Sequence, residues 1–243
     1  MKTSLLLCVA LTIALSITSV ASLSCHVCDD LTDTKCTTTT AKACADGETR
    51  CVSATITATA TNVGSTTVKY KGCAPVAVCP ATKTYDFSMD VGIANALGQA
   101  ICCNTDNCNN ADAAAPTAPA AGTLKCYGCN PLTGTCSANL ACNALETKCF
   151  SSLVNINGDT KARLGYGCSS QYVCEAAALL AKSPVLADIV TVQGAPACCS
   201  TANNCNVPPT ITATTAAPTT GGASSVAAML LLHALALVLA LLF

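Results

Sequence analysis

Cysteine is the residue with most chemistry in this chain. CHVC (25–28) and CYGC (126–129) have the C-x-x-C spacing of zinc sites and thioredoxin-like redox sites. CCNTDNCN (102–109) and CCSTANNCN (198–206) each place two adjacent cysteines before a third cysteine and an asparagine. Disulfide geometry needs Cα atoms usually about 4.4–6.8 Å apart, so vicinal cysteines rarely bond each other. Cys102 and Cys103 are therefore expected to reach different partners. Acid–base chemistry has little else to use. His26 sits between two cysteines, and Asp29-Asp30 is a carboxylate pair whose neighbours on a strand or loop point apart. Glycine-rich phosphate loops are absent from the sequence.

Composition sets the compartment. The chain has 243 residues, 21 of them cysteine, with 10% charged residues and a net charge of −1. That cysteine density suits a secreted disulfide scaffold and not a reducing cytosol. A near-neutral, charge-poor chain has no electrostatic footprint for nucleic acid and no basic cluster for anionic lipid. No cofactor and no metal are expected.

The two ends point the same way. Met1-Lys2, the apolar run SLLLCVALTIALSI (4–17) and the small residues SVAS (19–22) read as a signal peptide over 1–22, cut after Ala21 or Ser22. Cleavage removes Cys8 and leaves an even 20 cysteines. At the other end, VAAMLLLHALALVLALLF (226–243) follows the small residues GGASS (221–225). Small residues and then a terminal apolar tail are the signal for a glycosylphosphatidylinositol (GPI) anchor. Attachment is expected at Gly222, with Gly221, Ala223 and Ser224 as alternatives, and 223–243 as the propeptide removed on maturation.

The 20 remaining cysteines fall into two sets. Gaps between successive cysteines are 2, 7, 7, 6, 21, 5, 22, 0 and 4 residues from Cys25 to Cys108. From Cys126 to Cys205 they are 2, 6, 5, 6, 18, 5, 23, 0 and 5. This is an internal duplication. The repeats are placed at 23–110 and 123–207. ADAAAPTAPAAG (111–122) reads as an extended linker, and the Thr/Pro-rich 208–222 as a stalk, open to O-glycosylation. The chain holds no Asn-x-Ser/Thr sequon. With no Trp and three Phe, each repeat cannot offset its chain entropy by apolar burial alone, so disulfides must supply the deficit. Ten cysteines allow about 945 pairings, and spacing does not choose among them.

Between cysteines the segments read as strands. CVSATITATA (51–60) alternates apolar and polar residues, TNVGS (61–65) turns, and TTVKYKGC (66–73) returns. CFSSLVNI (149–156) leads to Asn157-Gly158, a preferred hairpin turn, and DTKARLGYGC (159–168) comes back. EAAALLAKSP (175–184) suggests a short helix. Each repeat is expected to fold separately.

With the openings LSCHVC (23–28) and LKCYGC (124–129), the two closings and the ten-cysteine order between, the chain resembles the urokinase receptor / lymphocyte antigen 6 superfamily, which shares the three-finger fold of snake neurotoxins. The resemblance implies an all-β, small disulfide-rich fold of two tandem three-finger domains. It implies Cys25–Cys51, Cys28–Cys36, Cys44–Cys73, Cys79–Cys102 and Cys103–Cys108, then Cys126–Cys149, Cys129–Cys136, Cys142–Cys168, Cys174–Cys198 and Cys199–Cys205. Cysteines so bridged leave none for zinc. It also implies that Asn109 and Asn206 hydrogen-bond back into the palm. The last loop of the second repeat is five residues, not the family's four, and is expected to be looser.

Fingertips are the remaining functional surface. Finger two of the second repeat carries NGDTKAR (157–163), whose Lys161 and Arg163 could meet an acidic partner. The resemblance implies a non-enzymatic, GPI-anchored receptor, co-receptor or adhesion module on the extracellular side of the plasma membrane, binding an extracellular or membrane protein. The alternatives are a secreted two-domain inhibitor of the phospholipase A2 inhibitor type and a structural surface-coat protein.

Overall fold

The computed structural model describes residues 22–29, 34–61, 64–130, 135–156, 163–180 and 190–208. The signal segment up to residue 21, the stalk and tail beyond 208, Asp30, the Asn157-Gly158 turn, Lys161, and the four candidate attachment residues lie outside them.

The first repeat is three hairpins. β1 (Ser24–Cys28) and β2 (Thr39–Ala43) form a small sheet of their own. β3 (Glu48–Ala60) and β4 (Gly64–Pro75) make the long second finger, and β5 (Thr84–Asp90) and β6 (Ala94–Cys103) the third. Period-two alternation explains β3. Val52, Ala54, Ile56, Ala58 and Ala60 are all buried on one face. At the tip Ala60 pairs with Gly64, whose φ of +118° suits a residue without a Cβ. β6 crosses back beside β3, so the third finger joins the second in one sheet.

The second repeat varies the plan. β7 (Ala121–Cys129) pairs with β8 (Cys136–Asn143), and β9 (Lys148–Ile156) with β10 (Arg163–Ser169). Its third finger holds α1 (Gln171–Leu180) and β11 (Val190–Cys199). The helix starts four residues before the sequence expectation, because Ser170 caps it: Val173 N–H donates to Ser170 Oγ at 3.5 Å.

The repeats are not separate bodies. The order β11-β9-β10-β5-β6-β3-β4 runs through both of them in a single nine-stranded sheet. The weld is β10 against β5, with Cys168 opposite Asp90 and Ser169 opposite Met89. The backbones meet so closely that a Cβ on Gly167 would lie 1.8 Å from the Asp90 carbonyl oxygen, so only glycine fits there. Beside the weld, α1 drives Tyr172 into the core of the first repeat. Its ring stacks on Tyr85 at 4.7 Å and tilts against Phe87 at 5.9 Å, and its hydroxyl donates to the Val78 carbonyl at 2.6 Å. Burial of such a ring stabilises by roughly 1.5–3 kcal/mol and each aromatic pair adds about 1 kcal/mol. This is how aromatic-poor repeats find a core: Val52, Ile56, Phe87 and Met89 share one cluster with Tyr172, Val173 and Ala176. The expectation of two repeats folding alone did not foresee that sharing.

Candidate functional site

The palm of each repeat is built on crossed disulfides. Cys25–Cys51 and Cys44–Cys73 pack with Cys25 Sγ 3.2 Å from Cys44 Sγ. Cys126–Cys149 and Cys142–Cys168 repeat this at 3.3 Å. These sulfurs lie close enough to suggest a metal cluster, but bridged sulfurs offer no thiolate for a metal. Cys28–Cys36 and Cys129–Cys136 close the first fingers, and in each C-x-x-C the two cysteines serve different bridges. The vicinal cysteines divide because neighbours on a strand face opposite ways. Cys102 enters the shared core and bonds Cys79, while Cys103 packs into the palm and bonds Cys108. Cys198 bonds Cys174 and Cys199 bonds Cys205 in the same manner.

Each closing asparagine clamps its palm. Asn109 donates to the carbonyls of His26 (2.8 Å) and Val52 (2.9 Å) and accepts from the His26 N–H at 2.9 Å. Asn206 does the same with Tyr127 and Phe150. The longer loop of the second repeat keeps these ties. Lys125 N–H donates to Asn203 Oδ1 and Asn204 N–H to the Lys125 carbonyl, as Ser24 does with Asp106 and Asn107. The extra residue is absorbed before Asn203, so the expected loosening of the closing turn is not seen. His26 contributes its backbone to this clamp. Its Nδ1 is buried with no hydrogen-bond partner among the described residues.

Opposite the apolar core, the sheet of the first repeat turns a polar face outward. Register places Lys69, Thr55, Gln99 and Asp86 in one row across β4, β3, β6 and β5. The segment 111–122, expected to be a linker, is extended as composition suggests, but its first residues are strapped across that row. Lys71 Nζ donates to the Asn110 carbonyl. Asp112 bridges Lys69 (2.6 Å) and Lys71 (3.0 Å). Thr55 Oγ1 donates to the Ala113 carbonyl at 2.8 Å, and Ala114 N–H donates to Gln99 Oε1 at 3.1 Å. Gln99 passes its amide on to Asp86 at 2.9 Å. The bonds from Lys69 and then Lys71 hold the Asp112 carboxyl below its usual range. By Ala121 the strap has become β7.

Where the strap passes Lys69, a groove of about 650 Å³ opens between fingers one and two. Thr34, Lys35, Thr37, Thr39 and Thr67 line it beside the Lys69/Lys71/Asp112 cluster. Its chemistry is a lysine–aspartate ion cluster with hydroxyls around it.

Residues 21–111, which span this face and its palm, match the family model of the u-PAR/Ly-6 domain. The first repeat is a u-PAR/Ly-6 domain. No curated protein matches the chain.

A u-PAR/Ly-6 domain is a non-enzymatic binding module, at home outside the cell or on its surface. Its binding residues must then be sought on exposed faces. Of the two fingertip residues the sequence singles out, Lys161 lies outside the described residues. Arg163 begins β10 with its backbone opposite Val154. Asp29 accepts from Thr40 Oγ1 at 2.7 Å and is a loop anchor. Sequence reasoning missed the Lys69/Lys71/Asp112 cluster. Lys69 and Lys71 could have been found, since their i, i+2 spacing in TTVKYKGC puts both on one face. Nothing local announced that Asp112 would fold back between them.

Sequence reasoning also missed the buried polar knot at the weld. Ser88 Oγ donates to Glu146 Oε1 at 2.7 Å, Asn143 N–H donates to Glu146 Oε2 at 2.8 Å, and Asn143 Nδ2 donates to Ser88 Oγ at 2.9 Å. Glu146 is only 2% exposed. Burial, reinforced by nearby Asp90, pushes its pKa up to about 7 against the hydrogen bonds that favour its charge. Ser170 N–H donates to the Ser88 carbonyl at 2.8 Å, tying α1 to the same point.

Proposed function

We propose that this chain is a GPI-anchored cell-surface protein whose two three-finger repeats bind an extracellular or membrane protein, as a receptor, co-receptor or adhesion module. The observation that carries the reading is the u-PAR/Ly-6 match at 21–111 in a chain that also has a signal segment and a small-residue, apolar tail at 221–243. The second repeat, 123–207, is read as a further domain of the same type because its cysteines are spaced and bridged like those of the first. Attachment at Gly222, or at Gly221, Ala223 or Ser224, would leave 208–222 as the stalk. If that stalk is polyproline-like, at about 3.1 Å per residue it lifts the repeats on the order of 40–50 Å above the lipid.

Phosphatidylinositol-specific phospholipase C distinguishes this reading from its competitors. Treatment of expressing cells should release the protein together with a known GPI-anchored control. Release of the control alone would mean a peptide anchor. Full recovery in the medium without treatment would favour a secreted inhibitor.

A further inference from the structure

We infer that Thr117, on the strap that runs from the first repeat to the second, is an O-glycosylation site whose hydroxyl takes a sugar from a glycosyl phosphate donor of the secretory pathway. The inference rests on the reading that the chain enters that pathway through its signal segment.

The chemistry makes a geometric demand. The bond from the sugar C1 to the donor's phosphate oxygen breaks, a bond from C1 to Thr117 Oγ1 forms, and the hydroxyl proton leaves with the phosphate. The acceptor must present a free hydroxyl on extended chain whose backbone edges are open for the transferase to grip. Threonines of the sheet do not meet that demand. Thr55 Oγ1 donates to the Ala113 carbonyl at 2.8 Å, Thr57 and Thr67 share a hydroxyl bond at 3.0 Å, and Thr59 and Ser65 share one at 2.7 Å.

Thr117 does meet it. The strap is tied at Ala114, whose N–H donates to Gln99 Oε1, and at Ala120, whose carbonyl accepts from the Ala144 N–H at 2.8 Å. Between those ties, residues 115–119 make no backbone hydrogen bond and Thr117 Oγ1 makes none either, among the described residues. Sequence sets the extended shape. In AAPTAP (114–119) the two prolines fix their own φ at about −65° and push Ala115 and Ala118 before them into extended backbone. Pro116 and Pro119 are half-buried while Thr117 and Ala118 are exposed, so the prolines rest on the protein and the threonine stands off it. Its alanine neighbours add only methyl groups. Thr among Ala and Pro is also the composition of O-glycosylated segments.

A cavity of about 390 Å³ opens beside Thr117, which is one of its lining residues. That is within the range of ligand sites, roughly 300–1,000 Å³. Leu97 of the third finger and Leu145 of the second repeat give it apolar walls, and Asp86, oriented by Gln99 Nε2 at 2.9 Å, gives it a carboxylate. A sugar ring turned back from Thr117 would lay its C–H face on the leucines and its hydroxyls toward Asp86.

The test takes the full chain from expressing cells, reduced, alkylated and digested with trypsin, and locates sugars by electron-transfer fragmentation. Peptide 84–125 should carry the mass shift of at least one sugar, placed on Thr117, and its first residue, hexose or N-acetylhexosamine, distinguishes the donor. Thr117→Val should lose that shift with surface display unchanged. Peptide 51–69, whose Thr55, Thr57, Thr59 and Thr67 are held in strands, should stay bare. A bare Thr117 in a chain that has lost its signal segment would overturn the inference and leave the secretory reading standing. Sugar on Thr105 or Thr123 in place of Thr117, or equal occupancy of Thr117 and peptide 51–69, would overturn it as well. A signal segment still attached, with no sugar on any peptide, would sink the secretory reading and the inference with it.

Discussion

A buried carboxylate is an expensive thing to ionise, and Glu146 sits where the two repeats meet. In the unfolded chain it titrates near its ordinary 4.5, while in the fold burial pushes it up to about 7. An acid whose folded pKa is raised stabilises the fold most when protonated. That contribution is full below 4.5 and is lost as pH rises through about 7. The difference corresponds to about 3 kcal/mol. The weld should therefore be tightest in acid and loosen between about pH 5 and pH 8. Thermal unfolding should show the melting temperature falling across that window, with Glu146→Gln flattening the fall because an amide stays neutral. A fall of the same size in the Gln variant would place the titration elsewhere. Little at this scale was legible beforehand. Asn109 and Asn206 were, because they close a recurring motif. Glu146 was not, because its burial depends on Ser88 from the other repeat.

Strands explain what the vicinal cysteines cannot explain alone. On β6, Cys102 and Cys103 face opposite sides, one toward the core that holds Val52 and Phe87, the other toward the palm. Cys102→Ser should free Cys79 and release the third finger, and Cys103→Ser should free Cys108 and open only the closing turn. In the chain-entropy model the longer loop matters more. Disulfide mapping of each variant reads the partner directly, and Cys108 free in Cys102→Ser would reverse the assignment. Hairpins were the most legible elements, since alternation in CVSATITATA and the turn residues after it mark β3 and its tip. α1 was legible in type but not in its start, because its first turn is drawn in by Tyr172 and Val173 packing into the core of the other repeat. The strap was legible as extended chain. Its docking was not, because Ala and Pro carry no pattern that names a partner strand.

For the whole molecule, the decisive fact is that among the described residues no disulfide joins the repeats while a sheet and a core do. A protease site placed at 114–119 should, after cutting, yield two fragments on a denaturing non-reducing gel. Under native conditions they should migrate together. Tyr172→Ala removes the ring that α1 inserts into the first repeat, a loss of about 3–5 kcal/mol for a buried aromatic, and should let the cut halves separate. Halves that part without that substitution would show the weld to be too weak to hold. Under the proposed function, a pair joined by sheet and core would meet a protein partner as one body. That is the central claim: the chain binds a protein at the cell surface. The most direct measurement is the binding of labelled ectodomain, residues 23–208, to cells before and after trypsin treatment of those cells. The account predicts saturable binding that trypsin abolishes. Saturable binding that survives trypsin, or none on any cell type that neighbours the expressing one, would contradict it.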